Sequence, residues 1–473
     1  MTYDESVRYL LSLGRELAAP RQPVPSSASG VAAQKLNLQN ITILADRLNN
    51  PHRACPCVHI AGTNGKGSVA AMLDSILRVG GLRSGLYTSP HLVRINERIR
   101  VAGEDISDTA FAATFSRVHA FIEVLLASGS LPAHPTYFEC LTAMAFDHFA
   151  HAPVYFAVFE VGMGGRLDST NIVTPEVAVI TQIDFDHESY LGHSIEEIAA
   201  EKAGIIKPGA WVVSSAERPE ARAVIVRRCA AQDARLFEVD EAFCIEEVGA
   251  SRSRGTAPSS GGCTVAVSSN KGAPRIELSL PLPGRFQIRN ALAALAAARL
   301  LAERGFPIDD AAIARGIAAT YWPGRLELVQ QNPCVYLDGT HNPAGARALL
   351  AFWDENFSGQ RIHLVYGAMR DKAVDEITGL LFPRAASVTL TEPGQSRAIT
   401  AAELARIAGH FVSSGRLEVV PDPSAALEHA IALAAPADAV FATGSLYLAG
   451  DLRRYWATRS RAAEPSHALR SAH

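Results

Sequence analysis

No excess of either charge marks this chain: 44 Lys and Arg stand against 48 Asp and Glu, a formal charge of −4. That removes any global electrostatic reason to bind nucleic acid or an anionic membrane, so neither is expected as a partner. The most apolar long run, residues 291–302, is interrupted by Arg299 and is too short to span a bilayer. The first six residues are polar and acidic, unlike a secretion signal. The seven cysteines are odd in number and scattered. Cys55 and Cys57 form the one close pair; with a single intervening proline and no second pair they read as reduced thiols beside a buried strand. No internal repeat is visible. A soluble cytoplasmic protein is expected, and 473 residues with 48% hydrophobic content suffice for two or three domains with substantial cores.

What is present is an alternation of apolar runs rich in Val, Ile and Phe with helical patterns. Residues 154–160 and 177–183 read as fully buried strands, and 136–149 and 194–206 as helices. Such alternation implies an α/β fold with a mostly parallel sheet covered on both faces. Further helices are expected at 6–17, 38–48, 68–77 and 290–303, a mobile loop at 20–29, and exposed turns between short strands at 249–273. After Tyr321-Trp-Pro-Gly-Arg325 the alternation resumes, with strands at 334–337, 362–366, 387–390 and 439–442. A boundary near 322–324 gives a first domain of residues 1–323 and a second of 324–456, with a polar, frayed tail at 457–473.

Chemistry concentrates in a few strings. The apolar strand before Gly62-Thr-Asn-Gly-Lys-Gly-Ser68 feeds a glycine-bearing turn with one lysine and then a helix. Backbone N–H groups, Lys66 and a helix N-terminus would together hold polyphosphate. The string departs from GxxxxGK[ST]: no glycine stands five residues before Gly65, and Gly67 separates Lys66 from the Ser68 hydroxyl. The bland alternative is a tight strand–helix turn with a solvated lysine. Tyr87-Thr-Ser-Pro-His91 and the following Arg94 and Arg98 offer an oxygen and two cationic forks, or simply a loop with solvated arginines. Glu160 ends a buried strand, where a carboxylate needs a cation or hydrogen bonds, and glycines follow at once. His187 either ligates a metal or caps a turn. Lys202, on a helix, reads by itself as a surface lysine, and Asn290 as a helix N-cap. Asp338-Gly-Thr-His-Asn-Pro343 puts Asp338 and His341 on a loop before a helix, where an Asx cap also explains Asp338.

In this order these strings resemble the folylpolyglutamate synthase/dihydrofolate synthase family of the Mur ligase superfamily. Matching strings also include Glu201-Lys-Ala-Gly-Ile205, Trp322-Pro-Gly-Arg-Leu-Glu327, Tyr366-Gly-Ala-Met369 and Gly444-Ser-Leu-Tyr-Leu-Ala-Gly450, and the match runs from about residue 35 to 455. The resemblance implies a P-loop-type Mur ligase central domain with a mostly parallel sheet, plus a smaller Rossmann-like C-terminal α/β domain. It implies ATP-dependent ligation of L-glutamate through an acyl phosphate, in a cleft that closes and excludes water. The substrates would be dihydropteroate and reduced folates, acted on by a monomer. A monofunctional folylpolyglutamate synthase is the nearest alternative and a cell-wall Mur ligase a more distant one; a non-catalytic nucleotide switch would leave the second domain unexplained.

The resemblance also implies roles. Thr63, Asn64, Gly65, Lys66, Gly67 and Ser68 would wrap the ATP phosphates, with Asn290 at adenine and Arg325 and Asp338 reaching ATP from the second domain. Ser89, Glu160 and His187 would ligate magnesium, two ions being expected, with Ser68 helping at the first. Lys202 would be carbamylated (N6-carboxylysine) and help orient metal-bound water. Lys66 and Lys202 would be catalytic, and so would His341, near the acyl phosphate or the incoming glutamate. Thr136, Tyr137, Phe138, Glu139, Leu167, Asp168 and Ser169 would meet the pterin substrate, with Phe138 stacking on it and Asp168 hydrogen-bonding it. Residues 26–40 would supply a lid. The combination of Thr136–Glu139 with Asp168 points to the bifunctional form. Thr340 and Ser169 stand where alanine is common, and Phe286 where histidine is frequent; none of these removes a proposed ligand.

Overall fold

The computed structural model describes residues 1–14, 37–247, 262–270, 272 and 274–463. The expected loop at 20–29 and residues 26–36 of the expected lid lie outside these. The chain divides into two compact units, the first holding the described residues up to Glu247 with Cys263–Pro281 and Phe286–Tyr321, the second centred on Trp322–His473.

In the first unit, strands β1 (Cys57–Ala61), β2 (Ser84–Tyr87), β3 (Ile99–Val101), β4 (Glu104–Asp105), β5 (Phe156–Glu160), β6 (Val177–Ile180), β7 (Trp211–Ser214) and β8 (Arg235–Glu238) form one sheet. Its order is β4-β3-β2-β5-β1-β6-β7-β8. The six strands from β2 to β8 in that order are parallel, and β3 and β4 close one edge antiparallel. Every residue of β1, β5 and β6 is buried, as central strands of a two-sided sheet must be. Strands β9 (Phe243–Glu247), β10 (Cys263–Ser269) and β11 (Ile276–Leu280) make a separate antiparallel sheet. The stretch expected as exposed turns between short strands from 249 contains the seven-residue β10, whose Val265, Ala266 and Val267 are buried.

Helix α1 (Lys66–Val79) leaves β1 through the glycine turn. Helix α2 (Tyr137–His151) begins with a reciprocal capping box between Thr136 and Glu139, and α3 (Ile195–Ala203) with one between Ser194 and Glu197. Helix α4 (Phe286–Glu303) starts four residues before Asn290, so the N-cap reading of Asn290 is wrong; the side chain sits one turn inside the helix. One further helix, Asp108–Ala127, is long and apolar enough to cross a membrane, which reading only residues 291–302 overlooked. Its Phe111, Phe115, Val118, Ile122 and Leu125 pack into the core of this unit, and its Arg117 pairs with Asp147 of α2 at 2.5 Å.

The second unit is a six-stranded sheet of β12 (Glu327–Gln331), β13 (Cys334–Leu337), β14 (Ile362–Tyr366), β15 (Ser387–Leu390), β16 (Leu417–Val419) and β17 (Ala439–Thr443), in the order β12-β13-β17-β14-β15-β16. Only β12 runs antiparallel to its neighbour. Helices α5 (Pro343–Asn356) and α6 (Leu446–Ala463) belong to this unit; Leu448 and Leu452 of α6 pack on Val335, Val440 and Ala442. The expected frayed tail from 457 begins instead as a continuation of α6, since the helix anchored by these leucines runs on without a breaker to Ala463. Residues 464–473 lie outside the described chain.

Candidate active site

Parallel register decides which motifs meet. Tyr87 pairs with Phe159, Ile60 with Glu160, and Ala61 with Ile180, so β2, β1, β5 and β6 end nearly level. The loops after these ends carry Ser89, Gly62–Ser68, the glycines after Glu160, and His187. Ligands of open parallel sheets bind at this carboxyl edge.

The loop after β1 is tied down at several points. Thr63 donates its N–H to the Gln182 carbonyl (2.7 Å) and its hydroxyl to the Asp184 carbonyl (2.9 Å). Thr181 donates to the Asn64 carbonyl (2.7 Å). Thr63 is thus a tether between two loops, a role its position in the motif did not suggest. Gly65 has φ +89°, and a Cβ there would lie 2.2 Å from Asn290 Oδ1. Gly65→Ala is therefore expected to weaken ATP binding by about tenfold or more through strain and displacement of Asn290, read by calorimetric titration. Asn290 itself is buried and donates to Gln287 Oε1 at 2.8 Å.

Two lysines converge on one oxygen. Lys66 Nζ donates to the carbonyls of Gly62 (3.0 Å) and Thr63 (3.2 Å), and Lys202 Nζ donates to the same Gly62 carbonyl (2.9 Å). Lys202 is 3% exposed, so the surface-lysine reading fails: its face of α3 turns inward, onto the phosphate-type loop. Glu160 is 4% exposed and accepts the Ser89 backbone N–H at 3.2 Å, which ties the loop after β2 to the end of β5.

A carboxylate against a serine-bearing loop suits magnesium, which prefers oxygen and keeps several waters. Among the described residues no three His, Cys, Asp or Glu side chains cluster as a ready cage. An ion here would take its remaining ligands from phosphate and water. His187 adopts a left-handed conformation (φ 52°) at the start of the short helix Glu188–Leu191 and makes no side-chain cap; its ring lies 3.8 Å from Asp186. Of the two arginines offered as forks, Arg94 is exposed and paired with Asp108 (2.6 Å). Arg98 is 2% exposed, donates to His91 Nδ1 (2.8 Å) and lies over the Tyr137 ring, so solvation describes the first and not the second.

The expected pterin residues form one neighbourhood of the same unit. Glu139 Oε2 accepts the Thr136 N–H (2.7 Å), and Glu139 N–H donates back to the Thr136 hydroxyl (3.2 Å). Burial pushes the Glu139 carboxyl up, against bonds to it from the Thr136 backbone and side chain and one from Asn40. Tyr137 is buried, and the Phe138 ring packs so closely on Gly162 that a Cβ there would come within 2.4 Å. Leu167 is half-buried. Asp168 accepts from Met163 N–H (3.0 Å), Thr170 N–H (2.9 Å) and the Thr170 hydroxyl (2.5 Å). Ser169, where alanine is common, spends its hydroxyl on Thr142 (2.9 Å), which meets the Tyr87 hydroxyl (3.1 Å).

In the second unit Asp338 is buried and behaves as the Asx reading has it. Its Oδ1 accepts from Thr340 N–H (2.9 Å) and Thr443 (3.4 Å), its Oδ2 from Leu326 N–H (3.0 Å). Arg325 is next to Leu326, and His341 Nδ1 meets the Gly339 carbonyl at 2.8 Å. Asn342, unremarked in the sequence, caps α5 through Gly345 N–H.

Comparison with known proteins bears directly on this arrangement. The model of the Mur ligase middle domain matches residues 60–298, and that of the Mur ligase glutamate ligase domain matches 324–446. The chain belongs to the Mur ligase family. Within that family it is 36% identical over 425 residues to the dihydrofolate synthase/folylpolyglutamate synthase of Bacillus subtilis, covering 89% of this chain and 95% of the relative. Two solved Mur ligases share its fold. Mycobacterium tuberculosis folylpolyglutamate synthase, complexed with ADP and AMPPCP, has a TM-score of 0.81 at 34% identity, covering 91% of this chain and 97% of that one. Escherichia coli FolC, in complex with DHPP and ADP, has a TM-score of 0.81 at 28% identity, covering 97% and 99%. The chain spans about half the length, 51% and 52%, of two relatives from Haloferax volcanii and Halobacterium salinarum, each named probable bifunctional folylpolyglutamate synthase/dihydropteroate synthase.

Proposed function

We propose that this Mur ligase joins L-glutamate to dihydropteroate, forming dihydrofolate, and to reduced folates, forming folylpolyglutamates, at the expense of ATP. The observation that carries the reading is the convergence of Lys66, Lys202, Ser89 and Glu160 at the carboxyl edge of one parallel sheet. Nucleotide-bound relatives of the same fold support it. The substrate carboxylate attacks the γ-phosphorus and ADP leaves, giving an acyl phosphate. The glutamate amine then attacks the acyl carbon, and phosphate departs.

Lys66 neutralises charge on the transferring phosphoryl group, the role that dominates such reactions. Residues 63–68 wrap the phosphates, Asn290 meets adenine, and Arg325 and Asp338 belong to the ATP contacts. Ser89, Glu160 and His187 would hold magnesium, two ions being expected. When bound, magnesium supplies Lewis-acid neutralisation of phosphate oxygens. Lys202 acts as the N6-carbamate: a carbamate forms on a neutral amine, which burial favours. His341 acts near the acyl phosphate or the incoming glutamate. Phe138 and Asp168 meet the pterin, within the set Thr136–Glu139 and 167–169. The enzyme works as a cytoplasmic monomer.

Phosphate release with ATP and glutamate is the test, with dihydropteroate, tetrahydrofolate or a UDP-MurNAc peptide as acceptor. Turnover with both pterins is expected. Turnover with tetrahydrofolate alone would reduce the enzyme to a folylpolyglutamate synthase, and turnover only with the UDP-sugar would sink the folate reading.

A further inference from the structure

His59 lies on β1, two residues before the strand gives way to the glycine turn, and it is wholly buried. No role follows for it from the ATP or glutamate chemistry. Its Nε2 lies 2.8 Å from the Thr170 hydroxyl, a residue 111 positions away, and that hydroxyl lies 2.5 Å from Asp168 Oδ1. A count of hydrogens orients the chain. Asp168 Oδ1 accepts the Thr170 N–H and the Thr170 O–H together, so the Thr170 O–H points to Asp168 and a Thr170 lone pair faces the imidazole. His59 therefore carries its proton on Nε2. Burial holds its pKa down, to about 3, so the ring is neutral wherever the enzyme works.

The relay ends on a residue whose orientation matters. Burial pushes the Asp168 carboxyl up, while bonds from Thr170, Met163 and Gly162 oppose that shift. The Thr170 hydroxyl contact is the shortest of the three bonds to Asp168 described above. The adjacent Ser169 is held by a separate line through Thr142 and Tyr87, so the Asp168 carboxylate has its own support independent of its neighbour.

We propose that His59 and Thr170 are positioning residues for the pterin substrate, tying the Asp168 carboxylate as a fixed acceptor to β1, the strand that also carries the phosphate loop. This rests on the assignment of Asp168 to the pterin made above. Neither residue touches the reacting atoms, so their effect falls on pterin affinity and not on ATP affinity.

The test compares Thr170→Val, Thr170→Ser, His59→Leu and Asp168→Asn by KM for dihydropteroate and KM for ATP, with a thermal melt of each. Thr170→Val removes the hydroxyl at nearly constant shape. It is expected to raise the dihydropteroate KM roughly tenfold and leave the ATP KM within about twofold. Thr170→Ser, which keeps the hydroxyl, is expected to restore most of the loss. His59→Leu breaks the relay at its other end and is expected to copy Thr170→Val, which keeps the proposal testable if either variant fails to fold. A raised pterin KM in Asp168→Asn with none in Thr170→Val or His59→Leu would overturn the relay while leaving the pterin assignment intact. An unchanged pterin KM in Asp168→Asn would overturn the assignment and the relay with it. Equal rises in both KM values without rescue by serine would show a merely structural contact and overturn the proposal.

Discussion

Lys66→Ala is expected to lower turnover by about 10³-fold or more, roughly 4 kcal/mol of transition-state stabilisation, while the melting temperature stays within a few degrees of the parent. The asymmetry follows from where the ammonium sits. In the described structure Lys66 Nζ rests on the carbonyls of Gly62 and Thr63 and is only partly buried. Those oxygens can turn to water or to Lys202 when the side chain is cut back, so the fold loses little. The transferring phosphoryl group has no such substitute: charge spread over its oxygens is matched by a cation held at fixed distance, in surroundings that exclude water. Turnover measured by phosphate release, beside a thermal melt of the same preparation, checks both halves. Near-normal turnover would remove Lys66 from the mechanism.

Glu160→Gln is the second large effect. The substitution keeps shape and removes charge at a buried strand end. If the carboxylate exists to hold magnesium beside Ser89, turnover should fall about 10²-fold or more, and the magnesium concentration for half-maximal rate should rise. Stability should hold or increase, since a buried charge costs free energy that its neutral isostere does not. Titration of magnesium against rate, with a melt at each step, separates the possibilities. A large drop in melting temperature with unchanged magnesium dependence would make Glu160 a structural residue.

How far a reading of residues reached depended on the range of the interaction concerned. Strands at 334–337, 362–366 and 387–390 have in the structure the bounds their apolar runs suggest, because a buried strand is announced by its own side chains. Helix α2 starts where Thr136 and Glu139, three residues apart, cap it reciprocally. Helix α4 does not start at the Asn that resembled a cap; Asn290 instead faces Gly65, a neighbour brought to it by folding. Lys202 looked like any helix lysine, and the partner that explains it, the Gly62 carbonyl, is 140 residues away. Arg94 and Arg98 are alike in a string, yet one is solvated and the other buried.

Local order was therefore written in plain view: glycine turns, caps, apolar period and the succession of strings that marks a Mur ligase. Folding alone settled which of those strings share a surface. A parallel sheet aligns its strand ends by register, so Ser89, Gly62, Glu160 and the segment after β6 meet although 71 positions separate Ser89 from Glu160 and 120 separate Thr181 from Ala61. Folding likewise brings His59 to the Thr170 hydroxyl that bonds Asp168, and no periodicity within either segment could reveal that contact. Hydrogen bonds of this kind depend on angles and distances accurate to a few tenths of an ångström, which only the packed sheet supplies.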